Sequence, residues 1–386
     1  MGVRETLVDY FELHEHGTTV RTELIAGITT FLTMSYIVVV NPSIMAGIPD
    51  AKPGIILANY SPGEVRSMLA VVTILAATVA TLVMALYANR PFGQAPGLGL
   101  NAFFAFTVIG ALGIPWQTAL AAVVVEGVIF ILLTAAGARE YVIKLFPEPV
   151  KFAVGTGIGL FLSIIGLQAM GIVADDPATL LTLGPVASDP VAIVSTLGLF
   201  LTFALYARGI RGSIVLGIIL TTIAGWAVTQ AGLVAPDAGL VAGSTSTTYN
   251  IAPLAGAFLT GFANVEAFTF ALVVFTFFFV DFFDTAGTLV GVSQVAGFLD
   301  ENGNLPDIDR PLMADAVGTT VGGMLGTSTV TTYIESASGV EEGGRTGLTA
   351  LVVAVLFLLS LAVVPLAAAI PLYASHIALV VIGVVM

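Results

Sequence analysis

Cysteine is absent from the 386 residues, which excludes disulfides, thiolate metal sites and cysteine nucleophiles. Charge is scarce too, at 10% of the chain against about 25% in soluble domains. Histidine is no richer: His14 and His16 share a short polar N-terminal stretch and His376 lies far away, so no ligand set forms. Neither a metal site nor a cofactor is therefore expected. No Gly-Lys-Ser/Thr phosphate loop, Gly-x-Ser-x-Gly or His-Glu-x-x-His motif occurs, and an enzyme is not expected. The stretch Asp300-Glu301-Asn302-Gly303-Asn304 has calcium-loop-like acids, but Leu305 stands where that loop needs Gly, so a polar turn is the better reading. A net charge of −13 makes a nucleic-acid partner unexpected.

What is abundant is apolar. Hydrophobic residues make up 57% of the chain and the mean hydropathy is +1.02, more than one globular core could bury. The apolar runs recur along the whole length, so they are spans and not a leader, and the expected surroundings are a lipid bilayer. Windows long enough to cross as helices fall at 22–45, 66–88, 97–112, 115–137, 150–173, 190–207 and 212–231. A Ser/Thr-rich break follows, then windows at 265–287, 311–326, 328–342, 347–370 and 374–386. With the N-terminus in the cytoplasm, Arg4, Arg21, Arg90, Arg139, Lys144, Lys151, Arg208, Arg211, Arg310 and Arg345 lie inside, and Lys52 and Arg66 outside. That bias holds only if the two weak windows, 97–112 and 328–342, both cross. Seven spans followed by five, with the last ending at Met386 inside an apolar run, suggests a seven-plus-seven design lacking its tail.

The weak windows carry the most information. One opens Gly93-Gln94-Ala95-Pro96-Gly97-Leu98-Gly99-Leu100-Asn101 and the other Gly326-Thr327-Ser328-Thr329-Val330-Thr331-Thr332-Tyr333-Ile334-Glu335. Both begin with poor helix formers, and each is the third span of its half. Extended backbone at membrane depth survives only where protein or a water-filled cavity satisfies its amides. Paired interruptions point to a midplane site between inverted repeats. Half-helices are expected to start at about Asn101 and about Glu335, their N-termini facing one cavity.

Acids inside spans are costly and usually functional. Asp281 and Asp284 follow Phe277-Phe278-Phe279-Val280 and lie near one helical face. Facing a cavity with Glu335, such carboxyls can carry a proton or donate a hydrogen bond. Glu126 suits a structural hydrogen bond as well as a function. Asp315 suits either a supporting contact or a coupling network. Glu341 and Arg345 are spaced for a solvated ion pair.

The run Gly17-Thr18-Thr19-Val20-Arg21-Thr22-Glu23-Leu24-Ile25-Ala26-Gly27-Ile28-Thr29-Thr30-Phe31-Leu32-Thr33-Met34 resembles the opening of AzgA-like purine permeases. So do 93–104, Asp281-Phe282-Phe283-Asp284-Thr285-Ala286-Gly287-Thr288-Leu289, Ala314-Asp315-Ala316-Val317-Gly318-Thr319-Thr320 and 326–347. The resemblance implies an all-α polytopic membrane protein with a fourteen-helix inverted-repeat fold, shared with uracil and xanthine permeases, in which core and gate domains meet. Mapped here, it implies a cytoplasmic N-terminus at 1–21, core at 22–137, gate at 138–231, an extracytoplasmic loop at 232–264, a second core repeat at 265–370 and a second gate beginning at 371–386. Helix 12 is then incomplete and helices 13 and 14 absent, so a chain ending here is expected to have a deficient gate. Substrate residues fall, by resemblance, on Asn101, Asp281, Asp284 and Glu335.

The function so implied is import of purine nucleobases (adenine, guanine, hypoxanthine) across the cell membrane by cation symport, with H+ favoured over Na+. Glu335 would orient the base, Asp281 would give a second contact, and Asp284, with Asp315, would couple protonation to movement. Phe103, Phe279 or Tyr333 offer a stacking face. Homodimers occur among the related permeases. The rivals are an anion exchanger of the related sulfate-permease fold, which the three acids oppose, and a non-transporting membrane binding protein.

Overall fold

The computed structural model describes residues 2–138, 148–242, 246–263, 265–301 and 305–385, without the side chains of Val3 and 148–152. Arg139, Lys144, the Lys151 side chain and the Asn302–Asn304 part of the acidic turn lie outside the described residues. Among the described residues, 7 helices are long and apolar enough to cross a bilayer: Val20–Met45, Pro62–Ala88, Trp116–Ala135, Pro190–Ala207, Ser213–Gln230, Ala267–Ala296 and Gly347–Ala368. Shorter apolar helices span Leu98–Ala111, Ala153–Ala169 and Leu372–Val385, and a glycine-rich helix spans Asp309–Leu325.

Local chemistry sets the helix ends. Ser61 and Glu64 form a reciprocal capping box around Pro62, with Glu64 Oε2 accepting from Ser61 N at 2.8 Å. Thr19 accepts from Thr22 N at 3.2 Å. The second span widens into a π-helical turn at Met84–Ala88 and stops at Asn89, whose φ of 48° is left-handed. Lys52 ends the Ile37–Met45 helix by donating to the carbonyls of Ser43, Ile44 and Ala46 at 2.8, 2.7 and 2.6 Å. Arg66 donates to Ile370 O at 2.6 Å. The two cations that break the charge bias are thus both spent on backbone carbonyls.

Among the described residues, four short strands interrupt the helical pattern: β1 (Gln94–Pro96), β2 (Val173–Asp176), β3 (Leu180–Leu183) and β4 (Val330–Thr332). The β2–β3 hairpin departs from the all-α expectation and shortens the 150–173 window. That helix ends at Ala169, because Gly171 turns the chain with φ 70° and Val173 then pairs with Leu183. The 328–342 window takes the interrupted form expected of it, as β4 followed by a six-residue helix, Ser336–Glu341. That helix stops too early to set Glu341 against Arg345. Arg345 donates instead to Val340 O and Gly344 O, both at 2.8 Å, and Glu342 pairs with Arg211.

Small residues let the helices approach. Helix Asp309–Leu325 packs on Trp116–Ala135 and on Pro62–Val83, and a Cβ at Gly127 would collide with Thr320. Helices Pro190–Ala207 and Ser213–Gln230 use a reciprocal device: Gly198 receives Thr221 and Gly217 receives Thr202. Each threonine hydroxyl is satisfied inside its own helix, donating to Gly198 O (from Thr202) and Gly217 O (from Thr221) at 2.7 Å.

Glu23, wholly buried, holds the start of the Gly347–Leu359 helix against the first span. Its carboxylate accepts from Arg345 N (2.9 Å), Thr346 N (3.3 Å), Thr349 N (3.1 Å) and the Thr349 hydroxyl (2.6 Å). Replacing Glu23 with Ala leaves these donors stranded, at a cost of about 2–3 kcal/mol. Thermal unfolding in detergent should show a clear drop in midpoint, and an unchanged midpoint would contradict the role given to Glu23.

Candidate functional site

Backbone comes first. Strands β1 and β4 pair antiparallel, Gln94 with Thr332, Ala95 with Thr331 and Pro96 with Val330, and all six residues are buried. The ladder continues outward through Gly97 N to Thr329 O and Tyr333 N to Gly93 O, both 3.0 Å. In this register Pro96 falls in a pair that exchanges no backbone hydrogen bonds, so its missing N–H costs nothing. Each interrupted segment thereby satisfies the amides of the other at a depth where water is scarce.

A short helix follows each strand. The first starts at Leu98, not at about Asn101 as the sequence suggests, because Gly97 is the N-cap residue and its carbonyl already accepts from Asn101 N at 2.9 Å. Asn101 therefore sits one turn inside, wholly buried. Its Nδ2 donates to Pro96 O at 3.4 Å and its Oδ1 accepts from the Ser328 hydroxyl, tying the two segments together. The second helix starts at Ser336 with Glu335 as N-cap residue, close to the expected position.

Polar side chains fix the strands from behind. Asp315 Oδ1 accepts from Thr332 N at 3.0 Å and Gln94 Nε2 at 3.2 Å. The Thr285 hydroxyl lies 2.8 Å from Asp315 Oδ2, 3.1 Å from Asp281 Oδ1 and 3.1 Å from Thr331 Oγ1. It has one proton to offer, so it can serve only one of the two carboxylates at a time. Glu126 accepts from the Thr329 hydroxyl at 3.0 Å, and the Tyr333 hydroxyl donates to Pro96 O at 2.5 Å.

In front of the strands lies a cavity of about 880 Å³. Its lining includes Tyr36, Gly97, Asp284, Thr331, Tyr333 and Glu335 together with the apolar Ile158, Ile214 and Ile382, and runs on to Tyr206 and Arg211. Asp284 is half-buried and hydrogen-bonded to Thr331. Glu335 is also half-buried and accepts from the Tyr36 hydroxyl at 2.5 Å. Asp281 and Asn101 are fully buried and stand behind the lining, Asp281 joined to Thr331 through Thr285 and Asn101 to Tyr333 through the Pro96 carbonyl that both donate to. Phe103 packs edge-on to Phe277 at 5.0 Å, and Phe279 packs on Phe275 and Phe283 at 6.0 and 4.7 Å. Of these rings, Phe283 lines the cavity. Tyr36 and Thr33 join the site without a sequence signal of their own, since both sit in an unbroken apolar window.

Two carboxyl groups, several hydroxyls and an apolar wall make a site suited to a small flat molecule rich in N–H donors. No group of three or more potential metal-ligating His, Cys, Asp or Glu residues occurs among the described residues. Substituting Asp315 with Ala should loosen the strand pair. We expect amide exchange in peptides covering 93–97 and 329–333 to speed up by about tenfold or more, and unchanged protection would show that Asp315 does not hold the strands.

A family model described as Permease family (Xan_ur_permease) matches residues 21–386. The adenine permease AdeP of Escherichia coli (strain K12) is 40% identical over 379 residues, covering 97% of this chain and 79% of that protein. The guanine/hypoxanthine permease PbuG of Bacillus subtilis (strain 168) is 40% identical over 377 residues, covering 98% and 82%. Among solved structures, the transmembrane domain of the cyanobacterium bicarbonate transporter BicA superposes with a TM-score of 0.70 at 15% identity, covering 94% of this chain and 88% of that one, a likeness of fold alone. With the family model spanning nearly the whole chain and both relatives aligned over nearly all of it, this protein belongs to the Xan_ur_permease family of multi-pass membrane permeases.

Proposed function

We propose that this chain is a secondary-active permease importing purine nucleobases, adenine, guanine or hypoxanthine, by cation symport, with H+ as the coupling ion. The observation that carries the reading is that Asp284 and Glu335 face one cavity beside the β1–β4 pair. A purine ring carries its N–H groups in one plane, and carboxylate oxygens held by the protein accept them with charge-assisted strength. A base lacking those donors leaves the acceptors buried and unpaired, which discriminates strongly against it. The relatives named for adenine, guanine and hypoxanthine support the same substrate class.

In this reading Glu335 orients the base and Asp281, one layer back, supports the site through Thr285. Asp284 couples a proton to movement, and Asp315 transmits its state to the strands. The Thr285 proton is shared between Asp281 and Asp315, so protonating one of these carboxyls frees the hydroxyl to serve the other. The larger frame is a seven-plus-seven inverted repeat in which 22–137 and 265–370 form the core and 138–231, with 371 onward, the gate. The N-terminus is placed in the cytoplasm.

The anion-exchanger alternative shares the fold of the bicarbonate transporter. Two carboxylates on the cavity wall would repel a small anion, so the site chemistry favours the purine. Glu335→Gln should weaken hypoxanthine binding by about a hundredfold, the scale of losing a charged hydrogen-bond partner and stranding the ligand's donor. Calorimetry on purified protein reads this directly, and wild-type affinity would remove Glu335 from the site. In vesicles, accumulation of labelled hypoxanthine should stop when the pH gradient is collapsed, whereas accumulation sustained by a sodium gradient alone would overturn proton coupling.

A further inference from the structure

The first span contributes more to the cavity than an apolar wall. It is divided at Ser35–Tyr36 into Val20–Met34 and Ile37–Met45, and the division lies opposite the Glu335 turn. Thr33 and Tyr36, three residues apart on one helical face, both reach that turn. The Thr33 hydroxyl meets the Ser338 hydroxyl at 3.0 Å, and the Tyr36 hydroxyl donates to Glu335 Oε1 at 2.5 Å. Tyr36 is only 2% exposed and its ring lies 6.5 Å from that of Tyr333, so its orientation is set by packing.

We infer that Tyr36 is a positioning residue for substrate recognition, holding one oxygen of the Glu335 carboxyl so that the other is presented to the ligand. Glu335 has three rotatable side-chain bonds and sits at the cap of a six-residue helix, which constrains it weakly. Without an anchor its carboxyl samples several rotamers, and binding a base must then arrest them. A buried phenol donating a charge-assisted hydrogen bond removes that freedom before the ligand arrives. The same contact joins the first span to the second broken segment, so ligand binding at Glu335 is felt by both.

This inference rests on the proposed role of Glu335, and the test separates the two. Tyr36→Phe keeps the ring and removes the hydroxyl. In the full chain, hypoxanthine affinity by calorimetry should fall about tenfold or more, KM for uptake should rise in step, and maximal rate and unfolding midpoint should stay near wild type. A purely structural tyrosine would lower the midpoint and the maximal rate without this selective effect on KM. In a Glu335→Asp background, where the shortened side chain no longer meets the phenol, Tyr36→Phe should cost no more than about twofold further, because coupled residues are not additive. Full additivity there, or wild-type affinity in Tyr36→Phe while Glu335→Gln loses binding, overturns the positioning role and leaves the proposed function standing. Wild-type affinity in Glu335→Gln overturns both.

Discussion

Backbone amides inside a membrane have no water to turn to, and the molecule is organised around one place where two interrupted spans answer that need for each other. Strands β1 and β4 are three residues each, yet they decide where polar chemistry can exist at depth. Proline and glycine bring the first segment out of helix, threonines and a valine do so for the second, and the register puts Pro96 where no donor is required. Once the two segments are paired, the helices after them must begin beside one another. The carboxyl groups nearby then share a hollow that protein, and not lipid, encloses.

The supporting residues follow from that constraint. Asp315 and Gln94 cover the back of the strands, Thr285 links Asp315 to Asp281, and Asn101 and Ser328 tie the ends together. None of these groups faces lipid, and each satisfies a polar atom that burial would otherwise penalise. Glycines at contact points such as Gly127 let helices close around this polar layer without spending side-chain volume. In a bilayer, where tails are as apolar as leucine, such close packing and internal hydrogen bonding replace the hydrophobic drive that assembles soluble cores.

Helix placement was legible in the sequence because apolar length is a strong signal: the windows and the observed helices agree within a few residues over most of the chain. The interruptions were legible because Gly93–Gly97 and Thr327–Thr332 are poor helix formers at corresponding places. Side-chain direction was not. Asn101 shifted by a turn because the start of a half-helix depends on which carbonyl accepts first, and Gly97 accepts ahead of it. Asp281 and Asp284 share a face, but only Asp284 borders the cavity; three residues of helical rotation separate a lining position from a supporting one. Tyr36 carried no signal, since a hydroxyl in an apolar run gains meaning only from a partner some 300 residues away along the chain. The Glu341 spacing misled because it assumed a helix that ends at that residue.

The absence of cysteine offers the sharpest check on the central contact. Pro96 and Val330 are Cα partners in the strand pair, in the closer class of antiparallel neighbours at about 4.5 Å, a separation a disulfide can span. Cysteines placed at these two positions of the otherwise thiol-free chain, in native membranes under mild oxidation, should join into an intramolecular bond that leaves no thiol to label after denaturation. Two free, separately labelled thiols under those conditions would mean that the interrupted segments do not meet, and the shared cavity would lose its foundation.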